Sequence, residues 1–454
     1  MGKRRDRRGL LLGGNRGRMS PAPGKRAQSG SSGWGLDARI ALALSCVSLL
    51  LYGWLMLLWK SHHVFAQDNI VFDADPPSRL SQLAHGWGDH TLAHPILPYI
   101  FSVPFRMIAA VFLKVHLTDN PVQLREGMAV WVAPVCSAIK VGIAYATGQM
   151  IGASRRGSLG LALLAGFSLA PAVFGSVPEH HALSALVLTA TFGWATAVRF
   201  GLIRDRYAVW FVLAFLATGL TVTNVVVVLI IYLASRLSGG HEWRRALAAA
   251  ALLGILSTAT AIGLSIAGAR VLKEPAPMET TATLANSYTR RPNVERGVRY
   301  AAALATSLIG PYPATMPNES ALTPRAKSAN QLNVQFSYDI LPVTAWTWTR
   351  IALILGVAGF GAWHGWRGDV RFRGLVVAAL LVLAYNGVFH SLWGTEWLLY
   401  SIHWHSALLL LLAGWLVGSS KSNGSILLML GIISAADAAL VIREMLVALE
   451  RVAR

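Results

Sequence analysis

Runs of about twenty consecutive apolar residues recur from one end of this chain to the other, and they limit its fold more than any other feature. They fall near 38–59, 96–116, 127–150, 158–176, 182–201, 207–236, 246–269, 344–366, 373–391, 402–418 and 424–446. A hydrocarbon core of ~30 Å takes ~20 helical residues to cross. Inside it the backbone must satisfy its own hydrogen bonds, which leaves helices or closed barrels. The runs are continuous rather than alternating, which argues against a barrel. Of the 454 residues only 13% are charged, and the mean hydropathy is +0.50. Soluble domains carry roughly 25% charged residues. The expected class is all-α, a polytopic helical membrane protein.

The formal net charge of +19 would suit a nucleic-acid binder, but its distribution does not. Lys3, Arg4, Arg5, Arg7, Arg8, Arg16, Arg18, Lys25, Arg26 and Arg39 crowd the start against Asp6 and Asp37. Gly, Ser and Pro fill the gaps, so 1–37 reads as a disordered basic tail. A basic tail before an apolar run belongs in the cytoplasm, where anionic lipid attracts it. No nucleic-acid partner is expected. Cys46 and Cys136 both sit inside apolar runs, which leaves no disulfide framework and no cysteine metal site. The first run reads as a signal anchor, with no small-residue cleavage pattern after it. The expected organisation is the tail, a membrane domain over 38–446, and a short tail at 447–454.

Basic residues in the short loops select a topology. If 96–116 lies along the outer surface, Arg155, Arg156, Arg199, Arg204, Arg206, Arg236, Arg244, Arg245, Arg367, Arg371, Arg373 and Lys421 all fall inside. That requires 207–236 to be a hairpin of two short spans with "GLTVTN" (219–224) as its outer turn. About eleven spans follow, with the carboxyl terminus outside. Every unusual polar cluster then lies outside: in a first loop (60–126), in "SVPEHHA" (176–182), in a long segment (270–343) and in "FHSLWGTEWLLYSIHWH" (389–405). No internal repeat supports an inverted-repeat transporter.

Each cluster has a structural reading and a chemical one. Asp73 and Asp75 in "FDADPP" are ordinary loop acids beside prolines, or a pair that binds a divalent cation or takes a proton. Asp89 or His90 caps a helix begun by Pro95, or His94 reaches a phosphate or acceptor hydroxyl. Glu179 favours a helix amino terminus, yet Glu179, His180 and His181 together would be costly against lipid and suit an aqueous cavity. They lack the i, i+4 spacing of a helical zinc pair. Trp393, Trp397 and Trp404 beside Tyr400 fit an aromatic belt, which does not account for Glu396 or for His390, His403 and His405. "RGVRYAAALATSLIG" (296–310) suits a surface helix with Arg296 and Arg299 toward headgroups. Asn318-Glu319-Ser320 matches a glycosylation acceptor. Glycine pairs in the spans read as close helix packing.

Taken together, these residues resemble the GT-C class of integral membrane glycosyltransferases over about 38–446. That class has a large first outer loop that opens on an acidic pair, here Asp73 and Asp75, and carries surface helices. "DHTLAHP" is similar to the His-Pro motif of its protein O-mannosyltransferase branch, and Pro178-Glu179 matches a further acid in the second outer loop. The pair here is Asp-Ala-Asp where many relatives have adjacent Asp-Glu, and the His-Pro motif lacks the usual second proline. The resemblance implies a polyprenyl-phosphate-linked sugar donor, a glycan, lipid or protein acceptor, and a site facing outward from the plasma (inner) membrane. It implies Asp73 and Asp75 as base or metal-binding acids and Glu179 as the residue that positions acceptor or metal. The metal would be Mg²⁺ or Mn²⁺ held by Asp73, Asp75 and Glu179. Asp89, His94, His180, His181, Arg299, Glu396, Tyr400, His403 and His405 are the expected substrate-binding residues. A transporter or flippase is the alternative, though mid-span Thr218, Thr221, Thr223, Asn224 and Lys140 form a thin polar path.

Overall fold

A computed structural model describes residues 31–86, 93–272, 291, 293–319, 332–394, 396–418 and 421–453. It is helical almost throughout. Among the described residues nine helices are long and apolar enough to cross a membrane: 35–61, 97–114, 121–150, 181–199, 243–270, 345–368, 370–392, 397–416 and 422–452. The chain is an all-α polytopic membrane protein.

In chain order the helices are α1 (Ser31–Ser61), α2 (Pro76–His85), α3 (Leu97–Ile100), α4 (Ser102–Lys114), α5 (Pro121–Val130), α6 (Val132–Met150), α7 (Arg155–Phe167), α8 (Leu169–Phe174) and α9 (His181–Arg199). There follow α10 (Tyr207–Leu220), α11 (Asn224–Ser238), α12 (Trp243–Leu272), α13 (Val294–Thr306), α14 (Ala345–Gly368), α15 (Val370–Leu392), α16 (Trp397–Ala413) and α17 (Lys421–Ala453). The 207–236 run is two helices, α10 and α11, separated by Thr221, Val222 and Thr223. The 158–176 run is broken at Ser168, whose extended backbone separates α7 from α8.

The helices run alternately up and down, so the turns gather at two ends. At one end Asp37 meets Arg155 at 2.9 Å, Arg199 donates to the Arg371 carbonyl at 3.3 Å, and Arg236 meets Asp205 at 3.1 Å. The other end carries α2–α5, the turns before α9 and α11, and residues 293–319 and 332–343. Two boundaries move. Helix α1 starts inside the expected tail because its Ser/Gly-rich opening continues the helical register, and Asp37 there is tied to Arg155. Helix α17 runs through most of the expected 447–454 tail. Helix α4 takes α2 and α5 of the same connection as its main partners.

Close approach explains the most extensive helix pairing. α17 lies along α7, where a Cβ on Gly160 would sit 2.6 Å from the Leu427 backbone and one on Gly157 would sit 3.3 Å from Gly424 Cα. Without a hydrophobic drive in lipid, such small-residue faces bring backbones into van der Waals contact. α16 is the most enclosed long helix and has α9, α14 and α15 around it. Trp397 and Trp404 are buried against Ala303 and Leu304 of α13. They are core residues, not an aromatic belt, because α13 covers the face that would otherwise meet headgroups.

Lys140 on α6 is 1% exposed, and neither its Nζ nor Ser137 Oγ one turn earlier has a hydrogen-bond partner among the described residues. An uncompensated buried polar group costs roughly 1–3 kcal/mol. Lys140→Met keeps the volume and removes the charge. Its unfolding midpoint in detergent should therefore rise by the equivalent of about 1–3 kcal/mol. An unchanged or lower midpoint would mean that Lys140 is compensated by a bound group.

Candidate functional site

The stretch "FDAD" is held by a distant piece of chain. Strands β1 (Ala314–Met316) and β2 (Gln335–Ser337) pair antiparallel, and Val71 adds a parallel bridge to Phe336. Phe72 N–H donates to the Phe336 carbonyl at 3.1 Å, and Phe336 N–H donates to the Ile70 carbonyl at 2.9 Å. This clamp keeps Phe72 (φ 51°) and Asp73 (φ 61°) in the left-handed region. Two such non-glycine residues cost on the order of 1–3 kcal/mol each. Stacking of Phe72 on Tyr338 at 5.1 Å helps offset that cost. The reversal ends at Asp75, and Pro76 then starts α2 with its ring in the first turn.

Helix α2 places Arg79 one turn after Asp75, at 3.8 Å from its carboxylate. Arg79 Nε is also 3.6 Å from Glu179 Oε1, which accepts the Asp75 N–H at 3.1 Å. Glu179 is 2% exposed and folds back over the start of α9, where its Oε2 accepts the His180 N–H at 2.8 Å. That position suits a carboxylate, since helix amino ends carry partial positive charge. His180 Nδ1 lies 2.7 Å and His181 Nε2 4.0 Å from Oε2. His181 Nδ1 meets His403 Nε2 of α16 at 2.9 Å. The His94 ring packs on His180 at 4.2 Å. His94 Nδ1 lies 2.6 Å from the Leu220 carbonyl, which can only accept, so Nδ1 carries the proton and Nε2 holds a lone pair.

Burial decides the charges. Desolvation, with Glu179 nearby, pushes Asp75 up to about 7, although Arg79 pulls the other way. Desolvation, then Arg79, pushes His94 down to about 3. His180 is driven well below the ordinary histidine range by burial and then by His94. This end of the bundle therefore holds neutral imidazoles beside a carboxyl poised near neutrality.

A second acidic group adjoins it. Glu396 accepts from Ser337 Oγ at 2.7 Å and caps α16 through the Leu398 N–H at 3.3 Å. Burial first, then Asp339, raises Glu396 well above the usual carboxyl range. Burial raises Asp339 to about 7. Asp73 adds to the negative field at Asp339, Glu396 and Asp75, so both groups feel its charge. Beside them is a small, partly open cleft of about 50 Å³, lined in part by Arg299, Tyr338, Asp339, Arg350 and Trp397. Arg350 is buried and donates to Thr306 Oγ1 at 3.0 Å, while its Nε has no partner among the described residues.

The expected residues thus separate into neighbouring groups. Asp75, Glu179, His94, His180, His181 and His403 converge. Tyr400 extends that group, 6.2 Å ring to ring from His181 and 4.4 Å from His390. Glu396 and Arg299 belong to the second group, and Arg299 binds Glu295 at 3.0 Å and the Asp339 carbonyl. His405 is elsewhere, hydrogen-bonded to Ser168 at 3.1 Å, because residues 403 and 405 leave opposite sides of α16. Asp89 lies outside the described residues. Arg296 does not point to headgroups: it donates to the carbonyls of His390, Ser391 and Gly394, closing the end of α15. Asn318 is 0% exposed, and its amide holds the Asp68 carbonyl at 3.2 Å, so it offers no accessible acceptor for a glycan.

For the expected metal set, Asp73, Asp75 and Glu179 do not form the donor cluster. Among the described residues the group of three with donor atoms within 4.8 Å of one another is Glu179, His180 and His181. Arg79, Asp68 and Asp339 were not legible as site residues. A signal existed for Arg79, four residues after Asp75 on a helix opened by two prolines. No family model matches the chain, and no curated protein matches it significantly.

Proposed function

We propose that the protein is a GT-C-like glycosyltransferase that moves a sugar from a polyprenyl-phosphate donor to a hydroxyl acceptor of the cell envelope. The observation that carries the reading is Asp75. Its carboxyl is raised to about 7, and its N–H is anchored on buried Glu179, which also meets the imidazole cluster. A general base works best with a pKa near the operating pH. Asp75 takes the acceptor proton, the acceptor oxygen bonds to the anomeric carbon, and the bond from that carbon to the phosphate oxygen breaks. The prenyl phosphate leaves with the bonding pair, and Arg299 and Arg350 stabilise its charge. Arg79 and Glu179 position Asp75, and His94 Nε2 offers an acceptor to a sugar hydroxyl. The arginine-bearing turns at the opposite end support a cytoplasmic placement of that end and of the amino terminus, with the site outside the plasma (inner) membrane.

Native mass spectrometry of gently extracted protein tests this. A co-purifying prenyl-phospho-sugar is expected, and it should accumulate in the Asp73→Asn/Asp75→Asn double variant. Ordinary phospholipid alone in both samples would count against the reading. Buried Lys140 is the one observation that favours transport. Flux in proteoliposomes that survives the double substitution would support that alternative.

A further inference from the structure

We infer that Glu179, His180 and His181 form a binding site for a borderline divalent transition ion of the Zn²⁺ class rather than for Mg²⁺. The inference goes beyond glycosyl transfer and stands without it. The three side chains offer one carboxylate and two imidazoles with donor atoms within 4.8 Å of one another, and all three are buried. Imidazole with a single carboxylate suits Zn²⁺, Fe²⁺ or Co²⁺, whereas Mg²⁺ takes oxygen ligands in an octahedron. Consecutive histidines reach a common point because one presents Nδ1 and the other Nε2 toward Glu179 Oε2.

Two further observations point to a ligand. His180 is 4% exposed, and its Nδ1 lies only 2.7 Å from Oε2, yet the contact lacks the direction of a hydrogen bond and the nitrogen has no other partner among the described residues. A carboxylate oxygen and an unpaired ring nitrogen this close repel unless a cation lies against both. The opposite nitrogen of His181 is already engaged by His403 at 2.9 Å. Such an outer partner fixes tautomer and ring orientation in metal sites and typically contributes 10–100-fold in affinity. The other oxygen of Glu179 is occupied by the Asp75 N–H and Arg79, while Oε2 accepts the His180 N–H and keeps a second lone pair for the metal. Three protein ligands leave an open position, as in catalytic rather than structural sites.

The test uses the full chain in detergent, freed of any histidine tag, stripped with chelator and titrated with Co²⁺. One equivalent should bind with a visible absorption band, yield to Zn²⁺ and survive a large excess of Mg²⁺. His181→Ala should abolish the band. His403→Ala should weaken binding by about 10–100-fold. His405→Ala, altered at a residue bonded to Ser168 instead, should bind as the native chain does. Because the native chain alone can decide, a variant that fails to fold leaves the test intact. Absence of stoichiometric Co²⁺, its displacement by Mg²⁺, or undiminished binding by a folded His181→Ala variant would each overturn the inference. None of these readouts measures sugar transfer, so failure here and failure of the proposed activity are separable.

Discussion

Glu179→Ala is expected to be the most damaging single change at the site, in stability and in activity alike. It removes a buried carboxylate that meets Arg79 at 3.6 Å, the Asp75 N–H at 3.1 Å and the His180 N–H at 2.8 Å. Arg79, only 16% exposed, loses its buried counter-ion and keeps the more exposed Asp75, the field of Asp68 and a hydrogen bond to Gln82. Breaking a buried pair from one side costs roughly 3–5 kcal/mol. The unfolding midpoint in detergent should fall accordingly. Glu179→Gln keeps the shape and an acceptor for the Asp75 N–H, so it should recover much of the midpoint. Transfer should stay depressed, by about 100-fold or more, because the field at Asp75 has changed. A Gln variant with native transfer would show that Glu179 serves folding alone.

A rise in transfer rate as pH climbs through about 7 is the second large effect expected. Asp75 must lose its proton to act as base, and its pKa stands at about 7 rather than near 3.8. The single substitution Asp75→Asn should remove both the activity and this limb of the profile. The same shift has a consequence for stability. A carboxyl whose folded pKa exceeds its unfolded value binds protons more tightly when folded. Its contribution is complete below about 3.8 and is lost as pH rises toward about 7. His94, pushed down to about 3, acts in the opposite sense: its contribution is lost as pH falls from 6.5 toward 3. The two windows overlap, so the difference between native protein and Asp75→Asn across pH 4–8 isolates the carboxyl. The Asp75 side chain is 36% exposed, so solvent screens it and the effect on the midpoint should be modest. An activity profile flat from pH 6 to 8 would sink Asp75 as the base.

Much of the scaffold was legible from residue order. Bilayer thickness sets the length of an apolar run, and glycine and charged turns punctuate the runs, so most helices lie where the hydropathy put them. The two-helix reading of 207–236 followed from charge in the flanking turns, and α10 and α11 meet it. Boundaries in polar sequence were less legible. Hydropathy says nothing of a helix that continues beyond the apolar run, as α1 and α17 do. The tryptophans of α16 show the same limit: amphipathic side chains suit a membrane interface and a protein core equally, and only the placement of α13 decides between them.

The candidate site divides along the same line. Sequence alone singled out Asp75, Glu179, His94, His180, His181 and His403, because ionisable groups beside apolar runs are costly without a use. Which of them meet was decided by tertiary structure. Asp75 and Glu179 are brought together by the 335–338 clamp and by the rotation of α9, and His403 reaches His181 while His405, two residues on, faces Ser168. Side-chain direction on a buried helix depends on how that helix is turned against its neighbours. Because every face of α16 is covered, its sequence carries no apolar stripe opposite a polar one from which that rotation could be read. Composition therefore determined that this chain spans a membrane with polar groups gathered at its edges. Only helix packing, which sets rotation and depth, decided that six of those groups share one site.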